Sequence, residues 1–387
     1  MEYFLTEEQV EIKRLARRIA ETHIIPQREE LDHKAEFPHS IMKEIAKAGL
    51  PAIYIPEEFG GIGAGLLELC LATEELSRAC GAIGVTYAAS SLGSFPIIIA
   101  GTQEQKAKYL PPIASGEHYA AFCLTEAGAG SDTSAIATTA RKAGEDYVLN
   151  GTKQWITNGC EAHTYTVFAK TDKTRGARGI SAFIVEKGTP GLSFGKKEDK
   201  LGIRASATYE VIFQDCVVPK ENLLGREGGG FRIIMQTFDK SRPGIGAQAV
   251  GIAQGAYETA LEYAYSREQF GQSILNFQAV SFMLADMAIQ IEAARSLTYQ
   301  VARMIDAGVK DYAKESAMVK VFASDVAMKV TTDAIQVMGG YGYMKDYPAE
   351  KYSRDAKITQ IYEGTNQIQR QIIASHLVRE LASKKRG

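Results

Sequence analysis

The pattern of apolar and polar positions changes period twice along the chain. From about residue 5 to 120, apolar positions recur at helical spacing. Val10, Leu15, Ala16 and Ile19 share one face, and Leu66–Leu76 is a second periodic run. Thr6, followed by Glu7, Glu8 and Gln9, predicts a capped helix start. Pro26, Pro38, Pro56 with Gly60–Gly61, Gly81 and Pro111–Pro112 divide this region into several helices. Between about 121 and 230 the period shortens towards two. Tyr165–Lys170, Ile180–Glu186 and Tyr209–Phe213 predict strands, and Tyr147–Leu149 with Asn150–Gly151 predicts a hairpin turn. From Gly229 the helical period returns. Phe231–Tyr265, Gln278–Ala307 and Asp311–Met338 predict three long helices, and Thr365–Ala382 a fourth. Their apolar residues are too many for lone surface helices, which predicts a bundle partly buried against further copies of the chain. The reading is a multidomain α+β chain: helical over 1–120, β over 121–230, helical over 231–387.

Composition narrows the function classes. The 387 residues carry a formal net charge of −2, which gives no electrostatic reason to expect nucleic acid. The longest basic cluster, Lys384–Arg386, reads as a solvated chain end. Five scattered cysteines without a CxxC pair argue against a disulfide framework or a zinc site and fit a reducing compartment. The six histidines form no HxxxH pair, so no metal is expected. No run of 18 apolar residues is evident, so no membrane insertion is expected. The opening MEYFLTEEQV lacks a hydrophobic signal core and is acidic, which predicts a cytoplasmic setting.

Candidate chemistry concentrates in IYEGTNQIQRQII, Ile361–Ile373. Glu363 stands between an aromatic residue and Gly364, directly before a helix that Thr365 can cap. A carboxylate on a loop held by a helix suits a general base. A first-turn glutamate favoured by the helix dipole has the same local sequence. Gly128-Ala129-Gly130-Ser131 would let backbone amides approach a phosphate or a thioester, and is equally an ordinary turn. No strand–glycine–helix unit surrounds it, so it is not a Rossmann fingerprint. Trp155, the one tryptophan, is compatible with core packing.

A family resemblance connects these segments. IYEGTNQIQ resembles the catalytic-base segment of the acyl-CoA dehydrogenases, FAD flavoproteins that desaturate acyl-CoA thioesters. CLTEAGAGSD (Cys123–Asp132), NGTKQWITNG (Asn150–Gly159), FDKSRPGIGAQAVG (Phe238–Gly251), SREQFG (Ser266–Gly271), QVMGGYGY (Gln336–Tyr343) and YSRDAKITQIYEGT (Tyr352–Thr365) follow in family order. The medium- and short-chain branches are the most similar. The resemblance implies a helical domain, a middle β-barrel domain and a C-terminal four-helix bundle, assembled as a homotetramer. It implies FAD as cofactor, acyl-CoA as substrate and an electron-transfer flavoprotein as partner.

The same resemblance implies roles for single residues. Phe122, Leu124, Thr125 and Ser131 would contact flavin or thioester, with Trp155 and Thr157 against the flavin ring. Arg267, Gln269, Phe270, Phe277 and Gln278 would reach a neighbouring subunit's FAD, as would Gln336, Gly339 and Gly340. Gly364, Thr365 and Gln367 complete the cofactor set. Asp239, Ser241 and Arg242 would hold CoA, with Phe238, Tyr362, Ser131 and Gly364 along the thioester arm. For Arg267 an exposed helix charge is the plain alternative; for Asp239–Arg242 it is a helical ion pair. Some branches carry their base near Ser241 instead; here the carboxylate stands only at Glu363. The small residues of Gly84–Ser91, Val85 and Ala88 among them, would line the acyl pocket; tight helix packing explains them equally well.

The implied reaction is α,β-dehydrogenation to a trans-2-enoyl-CoA, with Glu363 taking the α-proton. The acyl group is expected to be medium or short, branched or alicyclic. An oxidase or enoyl-CoA reductase with the same site remains open at this point, as does a non-catalytic flavin- or acyl-CoA-binding scaffold.

Overall fold

The computed structural model describes residues 3–385. Met1, Glu2, Arg386 and Gly387, and with them the outer ends of the 1–120 and 231–387 segments and of the Lys384–Arg386 run, lie outside the described residues. Six α-helices come first among those residues: α1 (Glu7–Ile19), α2 (Arg28–Lys34), α3 (His39–Lys47), α4 (Leu66–Ala79), α5 (Gly81–Ala100) and α6 (Gln103–Ala114). α1 starts as its sequence predicts. The Thr6 hydroxyl accepts from the Gln9 amide at 3.2 Å, and the Gln9 side chain accepts from the Thr6 amide at 3.0 Å. Pro111–Pro112 do not break the chain into two helices; both lie inside α6.

Eight strands follow: β1 (Ala120–Cys123), β2 (Thr139–Ala143), β3 (Asp146–Thr157), β4 (Thr164–Lys170), β5 (Ile180–Glu186), β6 (Leu192–Lys197), β7 (Thr208–Val218) and β8 (Leu223–Leu224). They form one sheet in the order β6-β7-β3-β2-β4-β5-β8, with β1 parallel on β4. The β-barrel expectation fails here: β6 and β8 are unpaired ends, so the sheet is mixed and open. Alternation predicts strands but says nothing about closure. β8 is two residues long and meets only Ala182 and Phe183, and β6 carries Ser193, Lys196 and Lys197, so neither edge is built to join the other. Both faces of the sheet are covered instead. In β5, Phe183 and Val185 enter the sheet's own core, while Ile180, Ala182 and Ile184 face the helices.

The expected hairpin at Asn150–Gly151 is also absent. β3 runs straight through it with a register shift, and Gly151 sits so close to Thr138 that a Cβ would stand 2.7 Å from the Thr138 Cα. The turn lies at Gly144–Glu145, where Ala143 pairs with Asp146 and Gly144 has φ of +66°.

The last third is helical. α7 (Gly230–Ser266) is followed by a small ribbon, β9 (Glu268–Gln269) with β10 (Gln272–Ser273), then α8 (Gln278–Asp306), α9 (Ala313–Met338), α10 (Ala349–Lys357) and α11 (Asn366–Lys384). The four predicted helices are α7, α8, α9 and α11; α10 was not foreseen. α5 is long and apolar enough to cross a membrane by length and composition, contrary to the expectation from the sequence; 78% of that apolar window is buried inside the fold.

A buried ion pair ties the first helices to the last. Arg295 on α8 donates to Glu74 on α4 at 2.9 Å, and the Tyr299 hydroxyl donates to the other Glu74 oxygen at 2.9 Å. Burial pushes the Glu74 carboxyl up, and Arg295 with Lys13 more than reverses this, so it lies below the ordinary range. A depressed carboxylate contributes stability above its unfolded pKa, lost as pH falls through its folded value. Arg295→Met should therefore cost about 3–5 kcal/mol at pH 7, because Glu74 is left charged and buried. Urea unfolding followed by circular dichroism measures the loss, which should shrink on acidification.

Candidate active site

Glu363 is not a first-turn residue. α11 is capped at Thr365, whose hydroxyl accepts from the Ile368 amide at 3.3 Å, so Glu363 lies in the loop before the helix. Its backbone is left-handed, φ +50°, and that of Gly364 follows at +91°. Left-handed backbone is costly for a glutamate. The loop is held from two sides. The Gln369 side chain donates to the carbonyls of Glu363 and Gly364, both at 3.0 Å, and the Lys320 ammonium on α9 donates to the Gly364 carbonyl at 2.8 Å.

The Glu363 carboxylate faces α7. Ser241 Oγ donates to Glu363 Oε2 at 2.5 Å. Desolvation raises the Glu363 pKa above the ordinary carboxylate value, against the pull of Ser241, Arg242 and Lys320. Arg242 is itself buried and donates to Asp239 at 2.9 Å, while its Nε has no partner. Tyr362 meets the same helix two turns further on: its hydroxyl donates to Gln248 of α7, whose amide donates to the Gly81 carbonyl of α5 at 3.1 Å.

The sheet reaches the same region through aromatic packing. The Phe122 ring lies 5.4 Å from Phe238 of α7 and 4.9 Å from Phe168 of β4. Leu124 and Thr125 follow β1 and are fixed by their carbonyls, Leu124 accepting from the Lys153 ammonium at 3.0 Å and Thr125 from the Gln154 amide at 2.8 Å. Lys153 is fully buried and paired with Glu126 at 2.8 Å. Trp155 is not a core residue: it is 56% exposed on left-handed backbone, with Thr157 ending the same strand. The Gly128–Ser131 stretch is a tight turn, closed by mutual Glu126–Ala129 backbone bonds; Ala129 is buried, while Gly128, Gly130 and Ser131 are exposed and both glycines have nothing within 4 Å of a Cβ position.

On α5, Val85 is buried and Ala88 partly exposed. Gly84 is small for packing: a Cβ there would stand 1.9 Å from the Ser77 hydroxyl on α4.

A second group lies far from Glu363. Ser241 and the Arg267 cap of α7 are about 39 Å apart along the helix axis. There, Arg267, Gln269, Gly339 and Gly340 line a cavity of about 510 Å³, with the Arg267 guanidinium 5.6 Å from the Tyr341 ring centre. Gly339 and Gly340 present bare backbone to open space. Phe270 projects from the ribbon and its ring meets Phe277 at 5.9 Å. Gln278 opens α8 and Gln336 lies in the last turn of α9, both exposed; Gln367 is exposed on α11.

Reading the sequence missed Lys153, Glu126, Gln248, Lys320 and Gln369. Lys320 left a signal: it interrupts the buried stripe Ala317, Ala323, Ala327 of α9 at helical spacing.

A desolvated carboxylate beside aromatic side chains, in a helical–sheet–helical chain, agrees with the flavin-dependent acyl-thioester dehydrogenase that the sequence resemblance implies. Comparison with known proteins makes this specific. The chain matches the acyl-CoA dehydrogenase N-terminal domain over residues 6–117, the middle domain over 121–216 and the C-terminal domain over 228–378. It is 48% identical to the short-chain specific acyl-CoA dehydrogenase of Clostridium acetobutylicum, across 98% of this chain and 100% of that one. Butyryl-CoA dehydrogenase from Megasphaera elsdenii superposes with a TM-score of 0.95 at 46% identity, covering 98% of this chain and 100% of that chain. A chain from work on the electron transferring flavoprotein of Acidaminococcus fermentans and flavin-based electron bifurcation superposes at 0.96 with 54% identity, over 98% and 100%. The chain belongs to the acyl-CoA dehydrogenase family and is a flavin-dependent oxidoreductase whose cofactor is FAD.

The residues fit that cofactor. The open backbone at Gly339 and Gly340 beside Arg267 suits a pyrophosphate, and exposed Trp155 suits a ring system. Lys153→Met should weaken FAD retention, because it unpins Leu124 and Glu126 while leaving Glu126 without its cation, at a cost of about 3–5 kcal/mol. The ratio of flavin to protein absorbance after gel filtration, with the melting temperature, reads both effects.

Proposed function

We propose that this enzyme dehydrogenates a short-chain acyl-CoA between its α and β carbons, with Glu363 as the α-proton base. The observation that carries this is the Glu363 carboxylate, raised in pKa by desolvation and aimed by Ser241 at 2.5 Å. FAD, when bound, supplies the hydride acceptor for the β-hydrogen. The chain's own residues do the rest. A thioester α-proton is a very weak acid, and a carboxylate with raised proton affinity narrows the mismatch. Phe122, Phe238 and Tyr362 keep water from the thioester arm. Thr125, Thr157, Ser131 and Thr365 supply hydroxyls towards flavin and thioester, and buried Arg242 adds positive charge beside the base.

Asp239 and Lys240, with Lys310 across a cavity of about 270 Å³, suit the polar end of CoA. The names of the Clostridium and Megasphaera relatives support a short acyl group. Electrons pass on to an electron-transfer flavoprotein, supported by the Acidaminococcus work. Ser241, beside Glu363, and Arg267 stand about 39 Å apart on α7, so one chain's Glu363 region would be completed by another chain's Arg267 region. A homotetramer supplies that arrangement, without membrane insertion, in a cytoplasmic setting.

Glu363→Gln keeps shape and hydrogen bonding but removes the base. Stopped-flow bleaching of the flavin by butyryl-CoA under anaerobic conditions should slow by roughly 10²–10⁴-fold, while acyl-CoA and FAD remain bound. A rate within a few-fold of the parent would assign the base elsewhere. A panel from butyryl- to octanoyl-CoA in the same instrument checks the chain length, with preference expected for butyryl-CoA. Reduced flavin in the parent should persist in air until an electron-transfer flavoprotein is added; rapid reoxidation by oxygen would indicate an oxidase.

A further inference from the structure

Lys320 is a cation with no exposed surface on α9, and its ammonium donates to the Gly364 carbonyl at 2.8 Å and to Asn366 Oδ1 at 2.9 Å. Both acceptors flank the α11 cap, directly after Glu363. Asn366 is held in turn by Ser324 at 2.9 Å and Asp325 at 2.8 Å, one turn further along α9. A buried lysine that served only packing would be replaced at no loss by an apolar residue. Here its donors end on Gly364, the second left-handed residue of the loop, and on Asn366, the first residue of α11.

We propose that Lys320 is a positioning residue of the base: through Gly364 and Asn366 it clamps the loop that carries Glu363, and its charge adds to that of Arg242 beside the carboxylate. This rests on Glu363 being the base. The groups acting on the carboxylate are Ser241 and Arg242 on α7, Lys320 on α9 and Tyr362 on its own loop, with Asp239 beside Arg242 and Asp325 beside Lys320. Arg242 and Lys320 are the two cations among them, and they lie on different helices. Burial pulls the Lys320 ammonium down to about 7, while the Glu363 carboxylate supports its charge. The two groups are therefore reciprocal. Ionised Glu363 favours protonated Lys320, and a Glu363 that has taken up the substrate α-proton withdraws that support. One proton arrives at the carboxylate and one becomes easier to lose at the ammonium. The step breaks the substrate α C–H bond and forms the Glu363 O–H bond, while the Lys320 N–H bonds stay intact.

The test uses the holoenzyme with Lys320→Met, Lys320→Gln and Gln369→Leu. Lys320→Met removes donor and charge, Lys320→Gln keeps a donor without charge, and Gln369→Leu loosens the same loop while sparing the charge. Two quantities are measured against pH: the rate of flavin bleaching by butyryl-CoA, and the Glu363 carboxyl titration by infrared difference spectroscopy with Glu363→Gln as the blank. Both Lys320 variants should move the carboxyl titration and the acid limb of the rate upward in pH. Lys320→Met should also slow bleaching about 10- to 100-fold at pH 7, and Lys320→Gln should recover part of that at high pH. Gln369→Leu should slow the rate with the titration unmoved. If Lys320→Met does not fold, Lys320→Gln carries the same titration test. An unmoved titration in the lysine variants, or an equal shift in Gln369→Leu, overturns the proposal. A fast Glu363→Gln enzyme would instead remove the base assignment beneath it.

Discussion

The close approach of α7 to its neighbours is the constraint on which the rest depends. The helix carries glycine at its closest approaches to α4 and α9. A Cβ on Gly251 would stand 2.2 Å from the Glu74 carbonyl oxygen, one on Gly255 2.2 Å from that of Arg78, and one on Gly246 2.4 Å from Val319 Cγ1. Backbone therefore packs on backbone, and the helix axis has no freedom to slide. Glycine in a helix interior costs roughly 0.5–1 kcal/mol each relative to alanine, so this run is retained against local propensity. The return is rigidity. Phe238 and Ser241 are carried by a rod that α4, α9 and the buried Glu74–Arg295 pair hold in place.

Rigidity in α7 matters because its partner in the site is not rigid by nature. Glu363 stands on a loop with two successive left-handed residues, and such backbone persists only when its surroundings over-determine it. Four side chains do this from three elements: Ser241 from α7, Lys320 from α9, and Thr365 with Gln369 from α11. The α11 cap brings Gln369 one turn past Thr365, so the helix that follows the base also grips it from below. Capping and positioning are here one structural device.

Much of this organisation is legible in the sequence, and the failures have physical causes. The long helices follow from unbroken helical periodicity, which survives Pro243 because α7 is supported on every side. β4 and β5 are legible because alternate residues serve two different cores. Sheet closure is a property of the pairing between first and last strands, which no local pattern encodes; the barrel was expected from the family resemblance, and an open sheet stands. Asn150–Gly151 has turn composition, but Gly151 is used for close approach to Thr138, and pairing with β7 overrides the local preference. Glu363 was legible through its motif. Lys320 and Lys153 were not, because a lysine in a sequence reads as solvated; only its place on a buried stripe betrays it.

Those buried cations bear on how the carboxylate can be both stable and reactive. Desolvation raises the proton affinity of Glu363, and a protonated glutamate cannot take a proton. Ser241, Arg242 and Lys320 pull the other way without cancelling the rise. Arg242 is spent largely on Asp239, which burial itself pushes towards neutrality and Arg242 draws back. That leaves Lys320 as the cation least committed to another carboxylate, and its own charge is weakened by burial. The base is thus balanced by a partner that is itself near its titration point. A fixed cation would lock the carboxylate ionised; an apolar wall would lock it neutral. An ammonium of depressed pKa does neither, which lets the proton affinity of the pair change as the substrate proton arrives.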